Sequence, residues 1–338
     1  MRKLTRAFRR GEEGQAAIIV ALAMAVLLGF AALSVDVGYF MWEKRALQNA
    51  ADAAALAGAL ELPESPYWAE EAAQGYAYRN GVGQNGWTLE RVDVSTDRTS
   101  IAVSVAHPQS PFILARVLDL VGVDVRASAQ AAVRSPYRLD NVMPWMLRRS
   151  VYETTPNGQK VNLKYDARDP ERGNFGPLAI GGRGANVYRA NIRDGATVEL
   201  ESYYDTEPGN MVGPTHAGLQ DRLSQESQEC DSFEEVVKEE PSGTWRIVGG
   251  CNPWLPGGEG NRRLVVVPII DDAGLAGRTQ VQVIGLALVF LEDFECSGGH
   301  QCTVQARLVK AVAALEGPEI RLGPYNPAVG IRSISLIQ

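Results

Sequence analysis

Histidine is almost missing from this chain: three occur in 338 residues, His107, His216 and His300, far apart in sequence. No serine sits in a G-x-S-x-G turn, and neither an H-E-x-x-H nor a Walker loop is present, so the common hydrolase and phosphate-binding sites have no local signature. Gly81, Gly83 and Gly86 satisfy G-x-G-x-x-G in spacing. The pattern has no strand signal before it and no helix signal after it, which excludes the dinucleotide reading. Cys296, His300 and Cys302 offer three ligands at a spacing foreign to zinc sites. The expectation is a protein without catalytic residues, metal, cofactor or small-molecule substrate. Positive charge is outweighed, 33 bases against 40 acids. The net charge is −7, and five bases against two acids in the first thirteen residues leave −10 for the remainder. A phosphate-binding surface needs the opposite balance, so nucleic acid is not an expected partner.

Cysteine is limited to Cys230, Cys251, Cys296 and Cys302. An even count allows three pairings, and the sequence-local one, Cys230–Cys251 with Cys296–Cys302, is expected if the compartment is oxidising. Proline is absent before Pro63, and long apolar runs are absent everywhere except near the N-terminus. Val283 to Leu291 is apolar throughout, but nine residues make a buried strand and not a membrane span.

The exception is the stretch the chain is built around. Ala16 to Val35 reads AAIIVALAMAVLLGFAALSV, twenty residues with Ser34 as the single polar side chain. As a helix this measures about 30 Å, the thickness of a bilayer's hydrocarbon core. A cleaved secretory signal has a shorter core and a small-residue cleavage site, so a retained anchor is expected. Arg2, Lys3, Arg6, Arg9 and Arg10 flank it on one side, which predicts a cytoplasmic N-terminus and an extracytoplasmic remainder. Asp36 marks the far boundary. The sequence stays alanine-rich to Leu62, so one helix of about 45 residues, half in lipid and half standing above it, is predicted.

Two faces of this helix stand out. Ala17, Ala21, Ala25 and Gly29 recur every fourth residue, a small-residue ridge along which another helix can approach closely in lipid. Above the membrane, Val37, Phe40, Lys44, Leu47, Ala51, Ala54 and Gly58 follow steps of three and four, a face that packs on something. Its simplest occupant is the chain's own next domain; a partner helix is the alternative. Asp52 is expected to find a solvated or intramolecular contact.

The string EGQAAIIVALAMAVLLGFAALSVDVGYFMWEKRALQNAADAAALAGA resembles the N-terminal segment of TadE/TadG-like proteins of Flp (tight adherence) pilus assembly. The resemblance lies in Gly14-Gln15, the apolar run, Asp36-Val37-Gly38, and Arg45 to Ala59 with Gln48, Asn49 and Asp52. It implies a membrane protein whose partners are other pilus-assembly membrane proteins or further copies of itself. Prepilin leaders carry Glu five residues after the cleaved glycine; here Ala16 and Ile19 follow Gly11 and Gly14 at that distance, so that cleavage is not expected. Some TadG-type relatives carry a von Willebrand A-like metal motif, Asp-x-Ser-x-Ser. Asp93-Val94-Ser95-Thr96-Asp97 departs from it in the last place and reads as a turn.

Beyond the stalk, Tyr67 to Arg79 reads as a helix and Asn80 to Gly86 as a turn. Thr88–Val94 and Ser100–Ala106 form a hairpin pattern, Pro111–Val121 a helical one, and Val123–Val133 another strand. From Ser135 the chain is rich in Gly, Pro and Asn. Strands are predicted at 161–165, 197–202, 245–248, 264–270, 279–291 and 303–313, with one helix at Thr215–Glu226 capped by Thr215. Gly173–Gly176 and Glu207–Gly213 read as ordered loops, and Asp271 to Gly274 as a turn. The fold class is α+β: a long N-terminal transmembrane helix continuing into an exterior stalk, a small α+β unit, then a mainly β domain. The divisions fall at 1–13, 14–62, 63–134 and 135–338. The functional expectation is a non-enzymatic single-pass component of a Flp/Tad-type pilus assembly or secretion system. The alternative is a membrane-tethered module whose β-rich part binds a cell-wall or surface ligand.

Overall fold

The computed structural model describes residues 5–164, 176–207, 209–226, 228–271, 279–297 and 301–337. Helix α1 spans Thr5–Ala59, 55 residues without a break, about 80 Å long at the standard rise. It therefore begins inside the basic tail, earlier than the Gly14 start read from sequence. Alanine and leucine dominate it, and the helix stops where the run to Pro63 begins. Helix α2 (Pro66–Arg79) follows, with Ser65 accepting from the Trp68 amide and Pro66 in the first turn, the usual chemistry of a helix start. Its Ala69, Ala73 and Ala77 are fully buried. Alanine against alanine lets α1 and α2 lie close, and Gly58 marks the tightest point: a Cβ there would stand 2.8 Å from the Ala69 carbonyl oxygen and 2.7 Å from Ile101.

Strands β1 (Thr88–Val94) and β2 (Ser100–Pro111) form the expected hairpin, paired from Thr88 opposite Ala106 to Val94 opposite Ile101 with one register shift between Leu89 and Arg91. The Ser95 hydroxyl accepts from the Thr99 and Ser100 amides and donates to Asp97, so the Asp93–Asp97 stretch is turn chemistry. Strand β3 (Gly122–Val142) then runs for 21 residues. Its first half pairs with β2, and the upper half of α1 with α2 packs on that sheet through Leu47, Ala51, Ala54, Ile101, Val103, Val105 and Ala131.

One expected helix is absent. Between Pro111 and Val121 only Ala115–Leu118 forms a single 3₁₀ turn. The amides of Ile113, Leu114 and Ala115 are taken by Asp36, and Asp119 adopts a left-handed conformation at φ 61°. A segment this short, pinned at one end and turned at the other, has no room for the regular hydrogen-bond ladder.

The expected division near residue 134 falls within β3, which continues into the second part of the molecule. There Val142 pairs with Val266 of β5 (Leu264–Ile270), and β5 with β6 (Gln280–Ser297), β6 with β7 (Gln301–Val309), and β7 with β4 (Lys160–Lys164). Strand β8 (Ile331–Ile337) returns to pair with β3 at Gln130–Arg134, so the last strand of the chain completes the sheet under α1. The apolar run Val283–Leu291 lies in β6, and both faces of β5 and β6 are covered. Leu264, Val266, Leu288 and Phe290 enter one core cluster, and Val265, Val267, Ala287 and Val289 the other. Burial on both faces is why these strands read as continuous apolar runs.

Helices α3 (Ala185–Asp194) and α4 (Val212–Leu223) lie over the face that carries Val265 and Val289, with the short helix Arg149–Thr154 adding Tyr152 to the same cluster. Helix α3 has no counterpart among the sequence expectations. Helix α4 starts three residues before Thr215, which sits inside it with its hydroxyl on the Met211 carbonyl. Trp145 donates to the Tyr188 hydroxyl at 2.7 Å, and Tyr188 meets Thr215 at 3.1 Å, joining both helices to the sheet through a satisfied polar chain. The disulfides are Cys230–Cys251 and Cys296–Cys302, the sequence-local pairing. The second closes the β6–β7 hairpin, where Cys296 and Cys302 are register partners. His300, residues 173–175 of the predicted loop and residues 272–274 of the predicted turn lie outside the described residues.

Candidate membrane anchor and stalk interface

Along α1 the environment changes at one residue. From Ala16 to Val35 every side chain is exposed except Ala32, which is half-covered. Ile18, Leu22, Val26, Leu28 and Phe30 are exposed large apolar groups, and this helix is long and apolar enough to cross a membrane. A surface of that kind is stable against lipid and not against water. The ridge Ala17, Ala21, Ala25 and Gly29 is bare, and nothing lies within 4 Å of a Cβ placed at Gly29.

At Asp36 the helix enters its own protein. Asp36 is 2 % exposed and accepts from the amides of Ile113, Leu114 and Ala115 at 2.7, 3.0 and 2.8 Å. The sequence marked it as a boundary, which its position matches. That it fixes a loop needed the fold. Phe40 is half-buried, edge-on to Phe112 with ring centroids 5.1 Å apart. Leu47, Ala51 and Ala54 are fully buried in the chain's own core, so the predicted packing face is occupied intramolecularly from Leu47 upward. Val37 stays exposed, and Lys44 donates to the Arg126 carbonyl. Asp52 accepts from Gln48 at 2.8 Å, an intramolecular contact.

Two polar clusters bolt the stalk to the fold, and sequence reading missed both. Glu43, 1 % exposed, accepts from Ser110 Oγ at 2.5 Å and Trp87 Nε1 at 3.2 Å and pairs with His107 Nδ1 at 2.5 Å. Burial alone would raise this carboxyl; the bonds from Ser110, His107 and Trp87 outweigh it and hold it below its ordinary 4.5. The serine and histidine both face the carboxylate. Higher up, Glu61 accepts from Thr244 Oγ1 at 3.0 Å and Arg246 at 2.8 Å, while Arg332 of β8 bonds the Leu62 carbonyl at 3.0 Å and pairs with Glu64. A lone Glu carries no sequence signal for such partners, which lie from 44 residues away, at Trp87, to 185 residues away, at Arg246.

The lowered Glu43 carboxyl sets a pH dependence. A folded-state value below the unfolded one gives stability that is present above about pH 4.5 and lost as the pH falls through the folded-state value. Glu43→Gln in the full chain is expected to lower stability by about 1–2 kcal/mol at pH 7, with the gap narrowing in acid. Urea melts of both proteins at pH 7 and pH 3.5 measure it; a gap that widens in acid contradicts the assignment.

The β-rich part carries a hollow of about 490 Å³ walled by Asp140, Asp194, Arg222, Trp254, Arg262 and Glu316 among others. Trp254 is its one aromatic wall among the described residues, and its indole is already bonded to Asp140 at 3.0 Å. Arg222 is buried there, bonded to the Arg262 carbonyl and to Asn141 at 2.7 and 2.6 Å. Desolvation pushes this guanidinium down to about 9. Among the described residues no group of three or more His, Cys, Asp and Glu is placed to hold a metal ion.

No curated protein and no solved structure shows significant similarity to the chain. A family model does match: Tad, described as Flp pilus-assembly TadE/G-like, over residues 14–61. The match covers about a seventh of the chain and ends within three residues of the last residue of α1. It takes in the bare apolar run, Asp36, Glu43 and the buried alanine face. Residues 14–61 are thus a Tad-type, TadE/G-like segment, and this segment builds both the anchor and the stalk.

Proposed function

We propose that the chain is a non-enzymatic single-pass membrane component of a Flp/Tad-type pilus assembly or secretion system, acting through contacts. Its tail lies in the cytoplasm and the remainder outside. The observation that carries this reading is the coincidence of the Tad match at 14–61 with one helix divided at Asp36. From Ala16 to Val35 the helix is bare and apolar; from Asp36 upward it is seated in its own fold. A helix held this firmly at one end presents its other end in a fixed orientation. The ridge Ala17, Ala21, Ala25 and Gly29 then offers a close-packing face to a neighbouring membrane helix, from a pilus-assembly partner or a second copy. Five bases in the first ten residues support the cytoplasmic tail. The tethered binding module has weaker support, since the hollow in the β-rich part offers one aromatic ring whose polar atom is already engaged.

Topology tests the reading. Protease added outside spheroplasts is expected to cut residues beyond Asp36 and to spare a tag on the N-terminal tail. Loss of the tag with survival of the β-rich part reverses the orientation.

A further inference from the structure

We propose that the segment Phe112–Val123 is a second membrane contact, a loop whose apolar side chains enter the interfacial layer of the bilayer that α1 crosses. The segment is unusual in what it exposes. Val117 is 86 % and Val121 72 % exposed, and Ile113, Leu114, Leu120 and Val123 are also exposed. Soluble surfaces do not gather this many apolar side chains in eleven residues without a partner.

Its position selects the partner. Asp36, the first residue past the apolar run, takes the three amides at the start of the segment. Phe112 packs on Phe40, and the 3₁₀ turn contacts α1. Ala32, one turn below Asp36 on the same helical face, is the single covered residue between 16 and 35. The loop therefore lies level with the last turn of the apolar run, where the helix leaves the hydrocarbon. The side chains just above follow the order of a membrane interface. Tyr39 and Trp42 come first, at the depth where aromatic rings collect. Beside these rings a groove of about 560 Å³ runs between α1 and β3, with Val37, Met41 and Val123 in its walls; Arg126 at its edge is paired with Glu90 and the lining Asp124, while Lys44 and Arg45 supply its exposed positive charge. Apolar, aromatic and basic groups in that sequence match acyl chain, interface and headgroup. Two contacts fix what one helix leaves free: the rotation of the exterior part about α1 and its height above the bilayer.

The inference rests on α1 being the span, and the test separates the two. The full chain, whose described cysteines are all disulfide-bonded, is labelled with an environment-sensitive fluorophore at a single added cysteine and placed in phosphatidylcholine–phosphatidylglycerol vesicles. Val117→Cys and Val121→Cys report the loop, Leu27→Cys the span, and Tyr203→Cys the distant surface. Each of these side chains is exposed, so labelling disturbs no packing. Shallow doxyl-labelled phosphatidylcholine is expected to quench the probes at 117 and 121 strongly and the probe at 203 not at all, with 27 quenched best by a deep doxyl label. Full signal at 117 and 121 while 27 is quenched overturns the loop proposal and leaves the span standing. Probes at 117 and 121 that escape both lipid quencher and aqueous iodide mean that a second copy covers the loop, which also overturns it. Full signal at 27 removes the span itself, and the loop proposal with it.

Discussion

Gly58→Leu is expected to destabilise the full chain by about 3 kcal/mol, near the upper end of overpacking effects. Gly29→Leu, the same change in the same helix, should leave stability unaltered. At Gly58 the first added carbon meets the Ala69 carbonyl oxygen at 2.8 Å, the Ile101 side chain at 2.7 Å and Ala73 at 3.1 Å. Isoleucine can rotate away, but a backbone oxygen inside α2 moves only with its helix, so α2 must separate from α1. That opens the core made by Ala54, Ala69, Ala73 and Ile101. At Gly29 nothing lies within 4 Å. Urea melts followed by the near-ultraviolet signal of the tryptophans compare the two. Equal midpoints would mean that the upper stalk is not seated as described.

Glu61→Ala is expected to destabilise by about 2 kcal/mol, because it leaves the buried Thr244 hydroxyl without its acceptor and Arg246 with only Glu240, 3.7 Å away. Thr244 is fully buried and Glu61 is 6 % exposed; the Arg246 side chain is about a third exposed, so water recovers part of the loss and the effect stays below that of a fully buried pair. The damage should be local. Residues 237–239 and 245–247 form the end of the sheet, held by three register pairs between them and one to Val312, and Glu61 is their tie to the stalk. Hydrogen exchange should accelerate in those two strands and stay unchanged in β5 and β6. Acceleration spread evenly through the sheet would show that the contact is not a local tie.

These effects indicate how far the sequence could be read. The anchor was legible because a span has a length and composition that few other elements share. The buried strands β5 and β6 were legible because burial on both faces removes every polar alternative from Leu264–Ile270 and Val283–Leu291. The hairpin Thr88–Ala106 declared itself by alternation, and the disulfides by proximity in the chain. Helix α3 was not legible, since its ANVYRANIRD buries only Tyr188 and Ile192, one turn apart, too little to outweigh its polar residues. Pro111–Val121 looked helical because exposed apolar side chains bound for an interface share the spacing of a buried face. The extent of β3 escaped because Ser135 and Pro136 resemble a linker, and only pairing with 321–324 and with 196–199 keeps that region extended. Of the stalk residues, Leu47, Ala51 and Ala54 were visible as a face. The acids Asp36, Glu43 and Glu61 gave no hint of their work, because each meets partners that only the tertiary fold brings near.

In the proposed function the bare run Ala16–Val35 of α1 is an assembly surface and not merely a tether. The decisive measurement compares cross-linking of the parent with the double variant Ala21→Leu, Ala25→Leu in the native membrane. Leucine keeps the span at least as apolar, so insertion and membrane content should not change. In lipid the apolar effect gives helices no net push together, and close fit along small residues supplies the attraction; two leucines on that ridge hold a neighbour off. Cross-links from the lower helix to partner proteins are expected to fall sharply at constant membrane content. Undiminished cross-linking at constant content would contradict that role and move the site of contact to the exterior domains.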